Sequence, residues 1–402
     1  MFCHLVITLC IAFALLSSCI SVQPITKRYP TWGEEVLLSI PDHKTKLNLR
    51  VALPLQPAHA PACILIVHGM NEYVGRYANV ANFLAEKYIV AGVDLRGHGL
   101  TNPILFEADQ AIAKGENSFD AGEAFLAQAE LTDLEPMRQD LETALKYLIQ
   151  ICDRTGNARK LPLFVLSHSL GSLVAASSLI KPTFDHNLSQ RIQGVIFSGP
   201  AFSVTRVPGW RGWFQNPFIQ FSLYTHEHFL TLHDQPWPEV ALNQIVSFIT
   251  VPIMDGFIEF FSLPVMRGIF SPATPDWVVE YLSDWDEERQ RHRADNYIIR
   301  QTLLNYVLGI EKEIIKFRRE MAYFKTPYFL IYSAHDPITP AWGVHDFADA
   351  SFLNHPDNEL LVLPNENHHE QLFSKPPTSR QLLEKIDRWI SNRLATLAKT
   401  AL

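Results

Sequence analysis

Ser169 lies in the pentapeptide Ser167-His168-Ser169-Leu170-Gly171, between the apolar run Leu163-Phe164-Val165-Leu166 and the small-residue stretch Ser172-Leu173-Val174-Ala175-Ala176. The first run reads as a buried strand and the second as the opening of a helix, so Ser169 falls on the turn between them. A serine there lifts its hydroxyl above a sheet edge, beside backbone N–H groups left unpaired at a helix N-terminus. This is the nucleophile elbow G-x-S-x-G with its first glycine replaced by Ser167. A hydroxyl is a weak nucleophile. It needs a base to take its proton, and the base needs a carboxylate to fix its tautomer and stabilise its cation.

Both partners follow, in the order serine, acid, histidine. Tyr328-Phe329-Leu330-Ile331-Tyr332 reads as a strand and runs into Ser333-Ala334-His335-Asp336-Pro337, which puts Asp336 just past its end. Leu360-Leu361-Val362-Leu363-Pro364 is a further strand, and the loop after it carries His368 and His369. Either histidine is a candidate base. An acyl transfer also needs two donors aimed at the oxyanion, and backbone N–H groups supply them without reorganisation. One is expected from Leu170, next after the nucleophile. The other is expected from Met70, in the His68-Gly69-Met70-Asn71 loop that follows the strand Cys63-Ile64-Leu65-Ile66-Val67. Asp-Pro turns and paired loop histidines are ordinary one at a time, but here each stands at the C-terminal end of a strand.

The elements that must hold these groups follow from periodicity. Glu34 to Ile40 and Leu47 to Leu53 alternate around Pro41-Asp42-His43-Lys44 and read as an antiparallel hairpin. From Cys63 onward strands alternate with helices, the signature of a parallel sheet covered on both faces. Leu141, Leu145 and Leu148 keep helical spacing, as do Leu382, Leu383, Ile386, Trp389, Ile390 and Leu394 near the end. With 402 residues, 47% of them hydrophobic, the chain can bury one large core. Its net charge of −8 and lack of a basic run give nucleic-acid binding no support. The five cysteines are scattered, so no metal site is expected, and Cys63 and Cys152 read as buried thiols rather than a bridge. No cofactor is expected.

The motifs together resemble the α/β-hydrolases of the monoacylglycerol lipase and lysophospholipase group, the serine hydrolases of the Hydrolase_4 type. That group reads H-G-x-x-E-x-x-x-R-Y after its early strand, and His68-Gly69, Glu72 and Arg76-Tyr77 match. It then reads D-x-R-G-H-G, matched in full by Asp94 to Gly99. The strand Gly194-Val195-Ile196-Phe197-Ser198-Gly199-Pro200 is similar to the family's as well. The resemblance implies an α/β-hydrolase fold, a mostly parallel sheet with helices on both faces and a large inserted cap. Because the family's catalytic histidine is often followed by glutamate, it also favours His369, with Glu370 behind it, over His368. Three departures stand out: Ser167 at the elbow glycine, Tyr73 where the family usually has histidine, and a long stretch from Asn102 to Thr132.

Between Pro200 and Tyr328 the alternation breaks into a long insertion rich in aromatics, among them Phe202, Trp210, Trp213, Phe218, Phe248, Phe257 and Phe260. Ile245 to Met266 is apolar, but Asp255 and Glu259 sit inside it and Pro252 and Pro264 read as breakers, so it is not taken as a membrane span. Asp284 to Arg293 reads as a solvated helix face. At the N-terminus, Leu5 to Leu16 reads as a signal h-region leading into Leu16-Ser17-Ser18-Cys19, which resembles a bacterial lipobox. The expected organisation is a signal segment at 1–19, a tether at 20–33, core at 34–200, cap at 201–325 and core again at 326–402. An exported protein held at a membrane by lipid on Cys19 follows, in the outer membrane if the cell is Gram-negative, with plain secretion as the rival. The expected activity is ester cleavage on a single-chain lipid substrate, a lysophospholipid or monoacylglycerol, at a membrane surface. The competing readings are an aminopeptidase or general esterase of the same fold, and a lipid-binding relative without activity.

Overall fold

The computed structural model describes residues 29–40, 46–115, 121–155, 160–203, 237–267, 271, 273–274 and 276–400. The alternating segments form strands β1 (Glu34–Ser39), β2 (Lys46–Ala52) and β3 (Cys63–Val67), helix α1 (Ala78–Ala85), β4 (Ile89–Val93), α2 (Pro103–Ala113), α3 (Glu135–Thr155), β5 (Leu163–His168), α4 (Leu170–Ile180), α5 (His186–Arg191) and β6 (Ile192–Ser198). An interval with α6 (Trp237–Ser262), α7 (Asp276–Val279), α8 (Asp286–Ala294) and α9 (Leu304–Glu320) precedes β7 (Tyr328–Ser333), α10 (Ala341–Ser351), β8 (Glu359–Leu363) and α11 (Thr378–Thr400).

The eight strands pair in the order β1-β2-β4-β3-β5-β6-β7-β8. β2 runs antiparallel to both its neighbours, and all remaining pairs are parallel. This is the α/β-hydrolase architecture. Strand order reverses around β3, which pairs with β4 on one side and β5 on the other. In open α/β sheets the crevice at such a reversal, beyond the carboxyl ends of the strands, is where ligands sit. The loops carrying Met70 and Ser169 both leave the sheet there.

Side chains alternate across the central strands, as a pleated sheet requires. Leu65, Val67 and Val165 face one core with Leu141, Leu145, Leu148 and Leu173. Ile64, Ile66, Phe164 and Leu166 face the other with Leu84, Leu382, Ile386 and Ile390. Each such buried side chain contributes about 1.5–3 kcal/mol relative to exposure, and the sum makes the strand ends a rigid platform.

Two expectations need correction. Cys63 and Cys152 are joined in a disulfide, not left as thiols. Helix α3 returns across the sheet so that its last turns lie beside the first residue of β3, bringing the two Cα atoms to 6.5 Å, within bridging range. Pro252 does not break its segment either: α6 continues through it to Ser262. Among the described residues, no helix is long and apolar enough to cross a membrane. Cys19, the N-terminal apolar run and cap aromatics such as Trp210, Trp213 and Phe218 lie outside the described residues.

Candidate active site

Ser169 is the N-cap of α4 and has φ 49° and ψ −118°. Backbone of this kind is costly for any residue with a side chain and persists only where its surroundings enforce it. Here the Ser169 N–H donates to the Ser198 carbonyl at 3.1 Å, and the Ser169 carbonyl accepts from Ser172, Leu173 and Ala201. Gly171 is required two residues on: a Cβ there would stand 2.4 Å from the His68 carbonyl oxygen and 2.6 Å from that of Val67. Ser167 takes the place of the first elbow glycine without strain, because it is still a strand residue paired with Phe197. Its hydroxyl donates to the Ile196 carbonyl at 3.1 Å.

The loop after β8 brings His369 beside Asp336, Nδ1 donating to Oδ2 at 2.8 Å, with both side chains almost wholly enclosed. That bond leaves Nε2 as the basic nitrogen. Burial opposes charge on His369, but the Asp336 carboxylate and its hydrogen bond outweigh this and raise the imidazole above its ordinary value. Burial likewise works against the Asp336 carboxylate; His369 and the amides of Thr339 and Ile338 overcome it and hold the carboxyl below its usual range. His368 lies outside this arrangement, with Nδ1 3.4 Å from Glu366. The residue just before Ser169, His168, packs its ring 4.7 Å from that of His369. Burial, and then the nearby His369, push His168 down to about 4, so it stays neutral and accepts no proton meant for the base.

Ser169, His168 and His369 line one cavity of about 120 Å³ together with Gly69 and Met70. Its walls include Val278, Val279, Leu282, Ile298 and Ile299 from the segment between β6 and β7, and Ile338. Leu170 begins α4, where the first amides have no intrahelical acceptor. Met70 precedes Asn71, which holds φ 64°. Asn71 is fastened on every side: Oδ1 accepts from Gln128 at 2.9 Å, Nδ2 donates to Thr302 at 2.6 Å, and its carbonyl accepts from Ile299 at 2.9 Å. The Gly69 N–H donates to Glu72 Oε1 at 2.6 Å.

Several contributors escaped the sequence reading. The Thr339 hydroxyl donates to Asp336 Oδ2 at 2.9 Å and lies 3.1 Å from His369 Nδ1, steadying the acid–base pair. Gln128 comes from the divergent stretch between Asn102 and Thr132 and braces Asn71. Tyr73, at the family's histidine position, donates to Asp295 at 2.6 Å. The segment from Asp284 to Arg293 is not merely a solvated face: Glu288 is buried and pairs with Arg76. No local signal marks Gln128, Tyr73 or Glu288, whose partners are remote in sequence, whereas Thr339 stands only three residues after Asp336, a spacing that could have pointed to it.

A strained serine at a strand-to-helix turn, sharing one cavity with a buried histidine–aspartate pair, is an arrangement able to attack a carbonyl. The family model Hydrolase_4, described as serine aminopeptidase, S33, matches residues 58–373. The chain belongs to the Hydrolase_4 family. No curated protein matches its sequence. Among solved structures, this Hydrolase_4 member is similar to a soluble variant of monoglyceride lipase from Saccharomyces cerevisiae in complex with a substrate analog, with 15% identity, a TM-score of 0.61, and 92% of this chain and 99% of that one covered. It is similar also to a highly thermostable carboxyl esterase from Bacillus coagulans in complex with glycerol, at 15% identity and TM-score 0.55, covering 90% of this chain and 100% of that one. Paleococcus ferrophilus monoacylglycerol lipase gives 16% identity and TM-score 0.53, with coverages of 87% and 100%. At such identities the likeness speaks for the fold.

Proposed function

We propose that this hydrolase cleaves carboxylic esters of single-chain lipids, a lysophospholipid or a monoacylglycerol, through an acyl-enzyme. Ser169 attacks the ester carbonyl, His369 takes its proton and returns it to the leaving alcohol, and Asp336 orients the imidazole. The amides of Met70 and Leu170 stabilise the oxyanion. Water then repeats the sequence on the acyl-enzyme. The observation that carries this reading is the strained Ser169 opening into the same cavity as the Asp336-bound His369, under aliphatic walls.

The aminopeptidase reading needs a free carboxylate to hold an ammonium group near the serine. Glu72, Glu370 and Asp276 line the cavity; the oxygens of Glu72 and Glu370 already accept from Gly69, Tyr77 and Arg76, and Asp276 is exposed in the first turn of α7. Saturation of the two buried carboxylates favours an ester over an amine, and Asp276 makes aminoacyl amides the decisive comparison. Rates on lysophospholipids, monoacylglycerols, short soluble esters and aminoacyl amides test the proposal. Efficiency should rise with acyl length, since burial gives about 0.8 kcal/mol per methylene. Equal rates on acetyl and long-chain esters, or faster cleavage of aminoacyl amides, would sink it.

We also propose export and attachment to a membrane through lipid on Cys19. The Cys63–Cys152 disulfide supports an oxidising compartment. Ile245, Phe248, Ile249, Ile253, Phe257 and Phe260 leave an apolar stripe exposed along α6, which supports contact with a lipid surface.

A further inference from the structure

Arg76 lines the catalytic cavity, yet its side chain is sealed from solvent. Nη1 donates to Glu72 Oε2 at 2.5 Å and to Glu370 Oε1 at 2.8 Å. Nη2 donates to Glu370 Oε2 at 2.7 Å and to Glu288 Oε1 at 3.1 Å, and Nε to the Tyr29 hydroxyl at 3.3 Å. Tyr29 donates in turn to Glu288. A guanidinium has five N–H groups, and every one is placed. Phe373 closes the remaining face, its ring centre 4.5 Å from Arg76 Cζ.

Apart from Glu72, four residues from Arg76, the partners come from distant parts of the chain. Glu72 also accepts the Gly69 N–H, which fixes the His68–Gly69 peptide one residue before the Met70 amide. Glu370 follows His369 directly. Glu288 belongs to α8, and Tyr29 precedes β1. Because the guanidinium is planar and its fork rigid, a tilt imposed at one carboxylate is passed to the others. The segment bearing Glu288 grips the base loop by its backbone as well: the His369 N–H donates to the Tyr281 carbonyl at 2.8 Å and the Glu370 N–H to that of Leu282 at 2.7 Å.

The Glu72 and Glu370 contacts alone leave Nε and one N–H of Nη2 without acceptors. We propose that Glu288, together with Tyr29, is a positioning residue: it completes the ring of acceptors around Arg76, so that docking of α8 sets the angle of both the His68–Gly69 peptide, just ahead of Met70, and the His369 loop. The inference rests on the catalytic assignment proposed above. The segment between β6 and β7 then completes the reaction centre besides roofing it.

The test uses the full chain, a short water-soluble ester that does not reach the aliphatic walls, and the rate of Ser169 labelling by a fluorophosphonate. Misplacing a reacting group by about 1 Å costs on the order of 10² in rate. Glu288→Ala should therefore lower kcat and the labelling rate roughly ten- to a hundredfold, while KM changes far less. Glu288→Gln keeps a carbonyl acceptor and should recover most of the loss. Tyr29→Phe should fall between wild type and Glu288→Ala, and it decides the matter if Glu288→Ala does not fold. Wild-type kcat and labelling in folded Glu288→Ala or in Tyr29→Phe would overturn the proposal, as would a rise in KM alone. Failure of the wild-type protein to label at Ser169 would instead remove the catalytic assignment beneath it.

Discussion

Replacing Ser169 with alanine takes away the oxygen that has to form the acyl bond, so turnover and fluorophosphonate labelling should both disappear while the fold persists. His369→Ala should be nearly as damaging, and Asp336→Asn should cost up to about 10⁴ in kcat, because the three act as a unit. Thr339→Val should give a smaller loss, since Asp336 keeps its His369 hydrogen bond. His368→Ala should be mild. A dispensable His369 beside an essential His368 would reverse the assignment. The pH profile carries a sign. The base works only when neutral, and burial loses to Asp336 in setting its affinity for the proton, which lies above 6.5. The acid limb of kcat/KM should therefore be centred above pH 6.5, and Asp336→Asn should move it down. A limb centred well below about 6 would assign the base to another group. The strand-end positions of Ser169, Asp336 and the His368–His369 pair were legible in the sequence because chemistry restricts their types and each follows an apolar run, while the preference for His369 came from the family resemblance. Gln128 and Glu288 were not legible, because an acceptor or donor of ordinary type carries no mark until folding brings its partner to it; Thr339, three residues after Asp336, had a local signal in that spacing.

At the scale of elements, apolar periodicity is a reliable guide wherever a segment is buried on a regular face. The strands β3, β5 and β7 and the helices α3 and α11 read directly from their spacing. Periodicity says nothing of which helix end meets which strand end, and for that reason the Cys63–Cys152 bridge is not legible in it. The bridge closes a loop with a sequence separation of 89 residues. In the chain-entropy account, a loop of such length is worth about 4–5 kcal/mol. The Cys63→Ser, Cys152→Ser double variant should accordingly unfold at clearly lower denaturant, with wild type in reductant behaving alike. Coincident midpoints for oxidised, reduced and double-variant protein would show that the bridge contributes nothing. Pro252 misleads for a related reason. Proline weakens a helix locally, but α6 extends far enough on either side to carry it.

For the molecule as a whole, location is the property that most affects access to substrate. An acylated Cys19 would hold the enzyme at a lipid surface and raise effective substrate concentration with no new contact in the site. Cys19→Ala should release the protein from membranes or block its processing, with rates on short soluble esters unchanged. Full membrane retention of normally processed Cys19→Ala protein would leave the α6 stripe as the attachment instead. The order of parts along the chain adds a consequence in time. The nucleophile turn after β5 is made first, the segment between β6 and β7 next, and the acid and base loops after β7 and β8 last. The carbonyls of Tyr281 and Leu282 wait for a base loop that has yet to be synthesised. A nascent chain therefore carries a serine with nothing to deprotonate it, and the hydrolase has no complete reaction centre until its final strand joins the sheet.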